Sequence, residues 1–219
     1  MSRHGAFAFA GHLGLVVLAV TVVALTSAGD VVRSLGRADV AGAAIVGALA
    51  AAIEASAQRR HDDVVTSTVG RALATATGAL LFVVMVVAPA LRVTANASPG
   101  APSCIIGAVL ALAGARLRGR SIRVLGADFV TEHRAPPSLV THDVYAWVRH
   151  PSEIGLLALV LGVTTMAPTT MGIAAALVLG ALVFVRVARE ESRLAADLGG
   201  PYARYAAQVP AFVPRLFSR

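Results

Sequence analysis

The order of apolar and polar positions divides the chain into six long apolar stretches, at about 6–28, 40–57, 72–91, 101–115, 152–167 and 169–188. A helix needs roughly 20 apolar residues to cross a bilayer core, or about 17 at the short end, so the first, second, third and sixth stretches predict spans. The fourth and fifth are short, and predict helices that tilt as a pair or lie partly in the interface. Residues 1–28 resemble a secretory signal in position, but the apolar run is longer than a signal core and lacks a clear cleavage site. It is therefore read as the first span. The fifth and sixth stretches meet at "MAPTTMG", residues 166–172, an uncharged proline and glycine turn that predicts a tight helical hairpin.

Polar residues gather in two blocks, "RLRGRSIRVLGADFVTEHRAPPSLVTHDVYAWVRH" at 116–150 and "RVAREESRLAADLGGPYARYAAQVPAFVPRLF" at 186–217. Because the hairpin returns the chain to its starting side, the two blocks are expected to meet at one membrane face. Pro151 suits the first turn of the fifth helix, with His150 just before it and Glu153 in that turn. "AREESRLAADLGG" continues the sixth helix out of the membrane, and Gly199, Gly200 and Pro201 stop it. "PYARYAAQ" then begins a short helix with Tyr202 and Tyr205 three apart on one face.

Composition agrees with this pattern. With 57% hydrophobic residues, 14% charged and a mean hydropathy of +0.74, the chain reads as a polytopic membrane protein. The expected fold is all-α, a single membrane domain over residues 1–219 with about six transmembrane helices. Residues 1–115 supply the N-terminal helices, and 116–219 the cytoplasmic connector, the hairpin and the C-terminal helices.

Charge sets the orientation. All 19 basic residues are arginine, and with both termini on one side 16 of them fall on that side, leaving Arg33, Arg37 and Arg92 opposite. The positive-inside rule then puts both termini and both polar blocks in the cytoplasm. The formal charge of +7 is thus an orientation signal, and nucleic acid is not expected as a partner. Arginine-only usage with abundant Ala, Val and Gly suggests a GC-rich bacterial genome, hence a bacterial inner membrane.

Metal and nucleotide motifs are missing. The lone Cys104 permits no disulfide framework, and reads as a small buried hydrophobe. Six histidines show no paired helical spacing, and neither HExxH nor CxxC occurs, so no metal is expected. A glycine-rich dinucleotide motif and a phosphate-binding loop with lysine are also missing. Arg186 stands out because it follows "LGALVFV" at the membrane boundary, where ionisable residues are costly and functional by default. With Arg189, Glu190 and Arg193 it forms one helical face, either a snorkelling rim with i,i+4 pairs or part of a site.

Read together, "LVTHDVYAWVRHPSEIG", the hairpin and "REESRLAADLGGPYARYAAQVPAFVPRL" resemble the isoprenylcysteine carboxyl methyltransferase family, within a broader group that includes phospholipid N-methyltransferases. The shared pattern is Arg-His-Pro before a membrane hairpin, Glu-Glu after it, then Gly-x-x-Tyr-x-x-Tyr and a closing Val-Pro. It covers residues 116–217, about half the chain. The resemblance implies an integral membrane methyltransferase that binds S-adenosyl-L-methionine from the cytoplasm and methylates a lipophilic small molecule. It implies cofactor contacts from Arg134, Pro137, Ser138, Leu139, Val140, Tyr145, His150, Pro151, Ser152, Glu153, Glu190, Tyr202 and Tyr205. Arg186 matches the arginine beside the acceptor, with His150 and Glu190 as its catalytic companions.

Methyl transfer from a sulfonium is an in-line displacement, so an enzyme gains chiefly by orienting the reactants and excluding water. A carboxylate such as Glu190 suits the cofactor's ammonium, and the planar fork of Arg186 suits a carboxylate acceptor. Two positions depart from the pattern. Asp143 stands where glycine is common, and needs a backbone shape glycine adopts more easily; Glu153 stands where a tyrosine ring is common. Two other readings remain: an NADPH-dependent membrane reductase of the sterol-reductase type, and a non-catalytic transport or scaffold protein. Neither is favoured, since "RHPSE" lacks the reductases' Arg-His-x-Asn-Tyr pattern and few ionisable residues fall inside the first four stretches.

Overall fold

A computed structural model describes residues 42, 45–46, 68–93, 100–126 and 139–214. The first predicted span and nearly all of the second lie outside the described residues, as do Arg134, Pro137 and Ser138. In chain order the elements are α1 (Thr68–Phe82), a π-helical turn (Val83–Val87), α2 (Ala88–Val93), α3 (Ala101–Leu125), a 3-10 turn (Asp143–Ala146), α4 (Pro151–Met166), α5 (Thr170–Leu198) and α6 (Gly200–Gln208). No strand occurs among the described residues.

Among the described residues, three helical segments are long and apolar enough to cross a membrane: Thr68–Val87, α3 and α5. The third predicted stretch is α1 running through the π turn into α2. Pro89 lacks an N–H and its ring crowds the carbonyl four residues back, and the wide turn just ahead accommodates both defects. The fourth stretch differs from expectation. Its helix has 25 residues, because the polar run after Ala115 carries no proline and only the single Gly119 before Gly126, which caps it at φ +55°. The fifth is short as expected, with 16 residues. Between α4 and α5 the chain turns at Ala167–Thr169, and the Thr169 hydroxyl caps α5 by accepting from the Gly172 amide at 3.0 Å.

The closest packing lies between α3 and α4, which meet backbone to backbone along Gly107, Ala111 and Gly114 on one side and Gly155 and Gly162 on the other. A Cβ built on Gly155 would sit 2.6 Å from the Arg118 amide nitrogen and 2.7 Å from the Gly114 carbonyl oxygen. One on Gly162 would overlap the Ala111 backbone. In lipid, apolar side chains gain little by leaving their surroundings, so association relies on this close van der Waals approach of small residues. Leu156, Leu159, Val160 and Val163 of α4 complete the core with Val84 of the π turn and Leu179 and Val183 of α5. Ile105, Ile106 and Val109 of α3 and Leu177, Val178 and Phe184 of α5 stay exposed, as lipid-facing residues would.

This seam predicts an asymmetry among glycine substitutions. Gly155→Val should overpack the contact and cost on the order of 1–3 kcal/mol or more, seen as a lower thermal midpoint of the detergent-solubilised protein. Gly180→Ala, whose added Cβ meets nothing nearer than Leu157 Cδ2 at 4.0 Å, should leave the midpoint unchanged or raise it.

Candidate functional site

The site forms where α4 begins and the C-terminal part of α5 passes it in the opposite direction. Pro151 is the first residue of α4 and His150 its N-cap, as the sequence predicts. The C-terminal segment lies alongside: the amides of Arg149 and His150 donate to the carbonyls of Pro210 and Ala211 at 2.9 and 3.1 Å. Arg149 fastens this corner. Its Nη1 donates to the Ala206 and Val209 carbonyls at 2.9 and 2.6 Å, satisfying backbone groups at the end of α6. Its Nε and Nη2 both donate to Glu191 Oε1, at 2.9 and 2.6 Å.

His150 is buried and lies 2.9 Å from the same oxygen through Nε2. An ionised carboxylate only accepts, so Nε2 carries the hydrogen. Nδ1 then faces the other way, 3.7 Å from Glu190 Oε2. The Glu190 side chain is 57% exposed, whereas Glu191 is held by Arg149 and His150. The neighbouring glutamates thus do different things: Glu191 ties α5 to the Arg-His corner, and Glu190 stands at the mouth of the site.

A second layer lies one turn deeper. Glu153 is buried on α4, and its Oε1 meets Arg186 Nη2 of α5 at 3.3 Å. Arg186 therefore pairs across the hairpin, not along its own helix with Glu190. Ser152 is fixed from α3: Arg118 Nη1 donates to its hydroxyl at 2.9 Å and its carbonyl at 3.2 Å. The glycine seam makes this reach possible, since Arg118 follows Gly114 by one turn.

Tyr145 closes the inner wall. Its carbonyl accepts from the Tyr205 hydroxyl at 2.7 Å, and Tyr202 packs edge-on against Tyr205 with ring centroids 6.4 Å apart. Burial, with the Glu190 and Tyr205 charges adding, pushes the Tyr145 phenol above its ordinary range, so it remains a neutral donor. Burial likewise raises Tyr202 and Tyr205, each to about 12. Phe212 covers the tail side of His150 at 5.9 Å between ring centroids and touches Phe184 at 5.2 Å.

Of the residues singled out from the sequence, Tyr145, His150, Pro151, Ser152, Glu153, Arg186 and Glu190 gather here. Tyr202 and Tyr205 stand behind Tyr145 as a brace, and Leu139 and Val140 are half-buried in the chain leading to the 3-10 turn. Sequence reasoning missed Glu191 and Arg118. The Glu-Glu pair was visible, but not which member locks the corner; nothing in the sequence marks Arg118 apart from its neighbouring arginines. Asp143 adopts φ +60°, the left-handed shape the sequence required of it. Arg120 grips its carboxylate in a bidentate pair at 2.7 and 2.9 Å and holds it below the usual carboxylate range.

Residues 95–198 match the family model described as phospholipid methyltransferase. A protein-S-isoprenylcysteine O-methyltransferase from Tribolium castaneum is 32% identical over 114 residues, covering 50% of this chain. Over this region the chain is similar to the membrane methyltransferases of this group. A solved structure of the eukaryotic intramembrane Ras methyltransferase, isoprenylcysteine carboxyl methyltransferase, is 27% identical, covers 70% of this chain and superposes with a TM-score of 0.47. The chain spans 41% of the length of the curated relative and 55% of the solved chain.

The unequal glutamates should separate in a stability measurement. Glu191→Gln weakens three charge-assisted contacts, and should cost about 1.5–3 kcal/mol; Glu190→Gln should stay within about 0.5 kcal/mol of the parent. Urea unfolding in detergent compares them. The buried tyrosines give a pH signature. A folded-state phenol pKa raised from 10 to about 12 contributes stability that is complete below pH 10 and is lost as pH rises through about 12. Tyr205→Phe should flatten that alkaline loss, at a cost of about 0.5–1.5 kcal/mol at neutral pH from its bond to Tyr145.

Proposed function

We propose that this protein is an integral membrane methyltransferase that takes its methyl group from S-adenosyl-L-methionine and transfers it to a lipophilic acceptor. One observation carries the reading. His150 Nδ1 and Glu190 Oε2 face each other 3.7 Å apart, and with Nε2 committed to Glu191 the ring turns its second nitrogen toward an exposed carboxylate. A cationic hydrogen-bond donor settling at this mouth is met by the Glu190 carboxylate, and the ammonium of the cofactor's methionine part is such a group. The residues present therefore fit the cofactor. When bound, it supplies an electrophilic sulfonium methyl.

The chain's own contribution is orientation and exclusion of water. Glu190 and His150 hold the polar end at the cytoplasmic mouth, and Tyr145 offers a neutral hydroxyl from the inner wall. The Phe212 and Phe184 rings shut the tail side. One turn deeper, at the level of the apolar helices, Glu153 and Arg186 face the position from which a lipid-borne acceptor would arrive. The relatives' names specify isoprenylcysteine, whose methylated group is a carboxylate. Such an acceptor would have to compete with Glu153 for Arg186.

Calorimetry in detergent tests the reading directly. The intact protein should bind S-adenosylhomocysteine and not NADPH, and His150→Ala and Glu190→Gln should each weaken S-adenosylmethionine at least tenfold, about 1.4 kcal/mol. Unchanged binding in both variants removes the proposed site. Transfer of labelled methyl from the cofactor into a lipid extract then tests catalysis, and no labelled product from active-site-intact protein would sink it.

A further inference from the structure

Two buried groups of the site described above lack a complete set of partners: the Tyr202 hydroxyl, which stands behind Tyr145, and the Glu153 carboxylate, which faces Arg186. The Glu153 side chain is only 9% exposed. Oε1 meets Arg186, but Oε2 has no hydrogen-bond partner among the described residues. A buried acceptor left unpaired is costly, and an occupant that donates to it removes the cost. The same carboxylate largely neutralises Arg186, the one guanidinium in this layer that the structure turns across the hairpin toward the site. The neighbouring Arg118 is engaged with the Ser152 hydroxyl and carbonyl and does not take its place.

These facts bear on what the deeper layer can hold. A carboxylate entering here meets Glu153 before it meets a free arginine, and Glu190 adds a second negative charge at the mouth. A head group carrying N–H or O–H instead finds Oε2 ready to accept. Building on the methyltransferase reading, we propose that Glu153 is the residue that selects the acceptor, admitting a lipid with a hydrogen-bond-donating head, an amine or a hydroxyl, and excluding a carboxylate. The acceptor class then differs from the one the relatives' names imply, and the difference resides in one side chain. The charge arithmetic supports the same direction. Glu153 and Arg186 sum to zero, so the layer offers no net attraction to an anion, while Oε2 still offers a directional contact to a donor.

Binding of chain-matched probes to the full-length protein in uncharged detergent tests this without turnover. Farnesylamine, farnesol and farnesoic acid share one apolar tail and differ only in the head. The parent should bind farnesylamine or farnesol at least tenfold more tightly than farnesoate, the order of the first two telling amine from hydroxyl. Glu153→Gln keeps the shape but frees Arg186, and should reverse the preference, gaining at least tenfold for farnesoate. Arg186→Gln removes the cation that competes for Glu153, and should tighten farnesylamine instead.

Three results with the probes would overturn the proposal: a parent that prefers farnesoate, a parent that binds none of them, or a Glu153→Gln variant with the parental head-group order. Should that last variant instead lose S-adenosylmethionine, the carboxylate serves the cofactor and the proposal fails. S-adenosylhomocysteine binding to the parent, measured alongside, reports separately on the methyltransferase reading, because head-group preference is read with no cofactor present.

Discussion

Everything in the candidate site hangs on the contact between α3 and α4. Two helices that touch through glycine backbones approach more closely than side-chain packing allows, and in lipid that proximity is what holds them. It brings the Arg118 guanidinium of α3 onto Ser152 in the first turn of α4. The start of α4 is thereby fixed in depth and rotation. Its N-cap residue His150 then faces α5 at the Glu190–Glu191 level, and Glu153 faces it one turn deeper at Arg186. Loosen the seam and both layers lose their register together, although none of the glycines belongs to the site.

The two layers divide the work by depth. The outer layer is held by a crowded set of charge-assisted bonds centred on Arg149, which joins Glu191, α6 and the C-terminal segment. A pair so heavily bonded and partly buried is best regarded as a positioning device, since removing either partner strands the other. With Glu191 committed there, Glu190 is left to face solvent beside His150. In the inner layer the bonds are few, and the groups are left with unused capacity. Rigidity outside and spare acceptors inside is the distribution expected of a site that must be preorganised before an occupant arrives.

Much of this was legible in the sequence, for identifiable reasons. Pro151 marked the start of α4 because its missing N–H costs nothing in a first turn, and Gly199 marked the end of α5 because a positive φ suits glycine. The hairpin followed from an uncharged Pro and Gly turn between two apolar runs. The length of α3 was underestimated, since hydropathy measures only the part in lipid and the arginine-rich extension stays helical without changing the backbone pattern. Identity within a charge cluster was not legible either. Which of Glu190 and Glu191 faces inward depends on the rotation of α5 against α4, and that is fixed by packing far from either residue. For the same reason Arg118 looked like one orientation arginine among several.

Asp143 and Glu153, the two acidic residues that stand where the resembled family commonly has glycine and tyrosine, behave in opposite ways, and the contrast bears on the proposed role of Glu153. Asp143 replaces a glycine in a left-handed turn, and an exposed bidentate arginine, Arg120, captures its carboxylate on the outside. Its own backbone supplies a further bond through the Val144 amide at 2.7 Å, so the substitution is absorbed locally and the turn that carries Tyr145 keeps its shape. Glu153 replaces a ring inside the site, and its arginine satisfies one oxygen only. A carboxylate that a structure had merely tolerated would be expected to turn outward or fill its bonding capacity, as Asp143 does. Glu153 is turned inward, almost wholly buried and half used, and that is the condition of a group whose remaining partner comes from elsewhere.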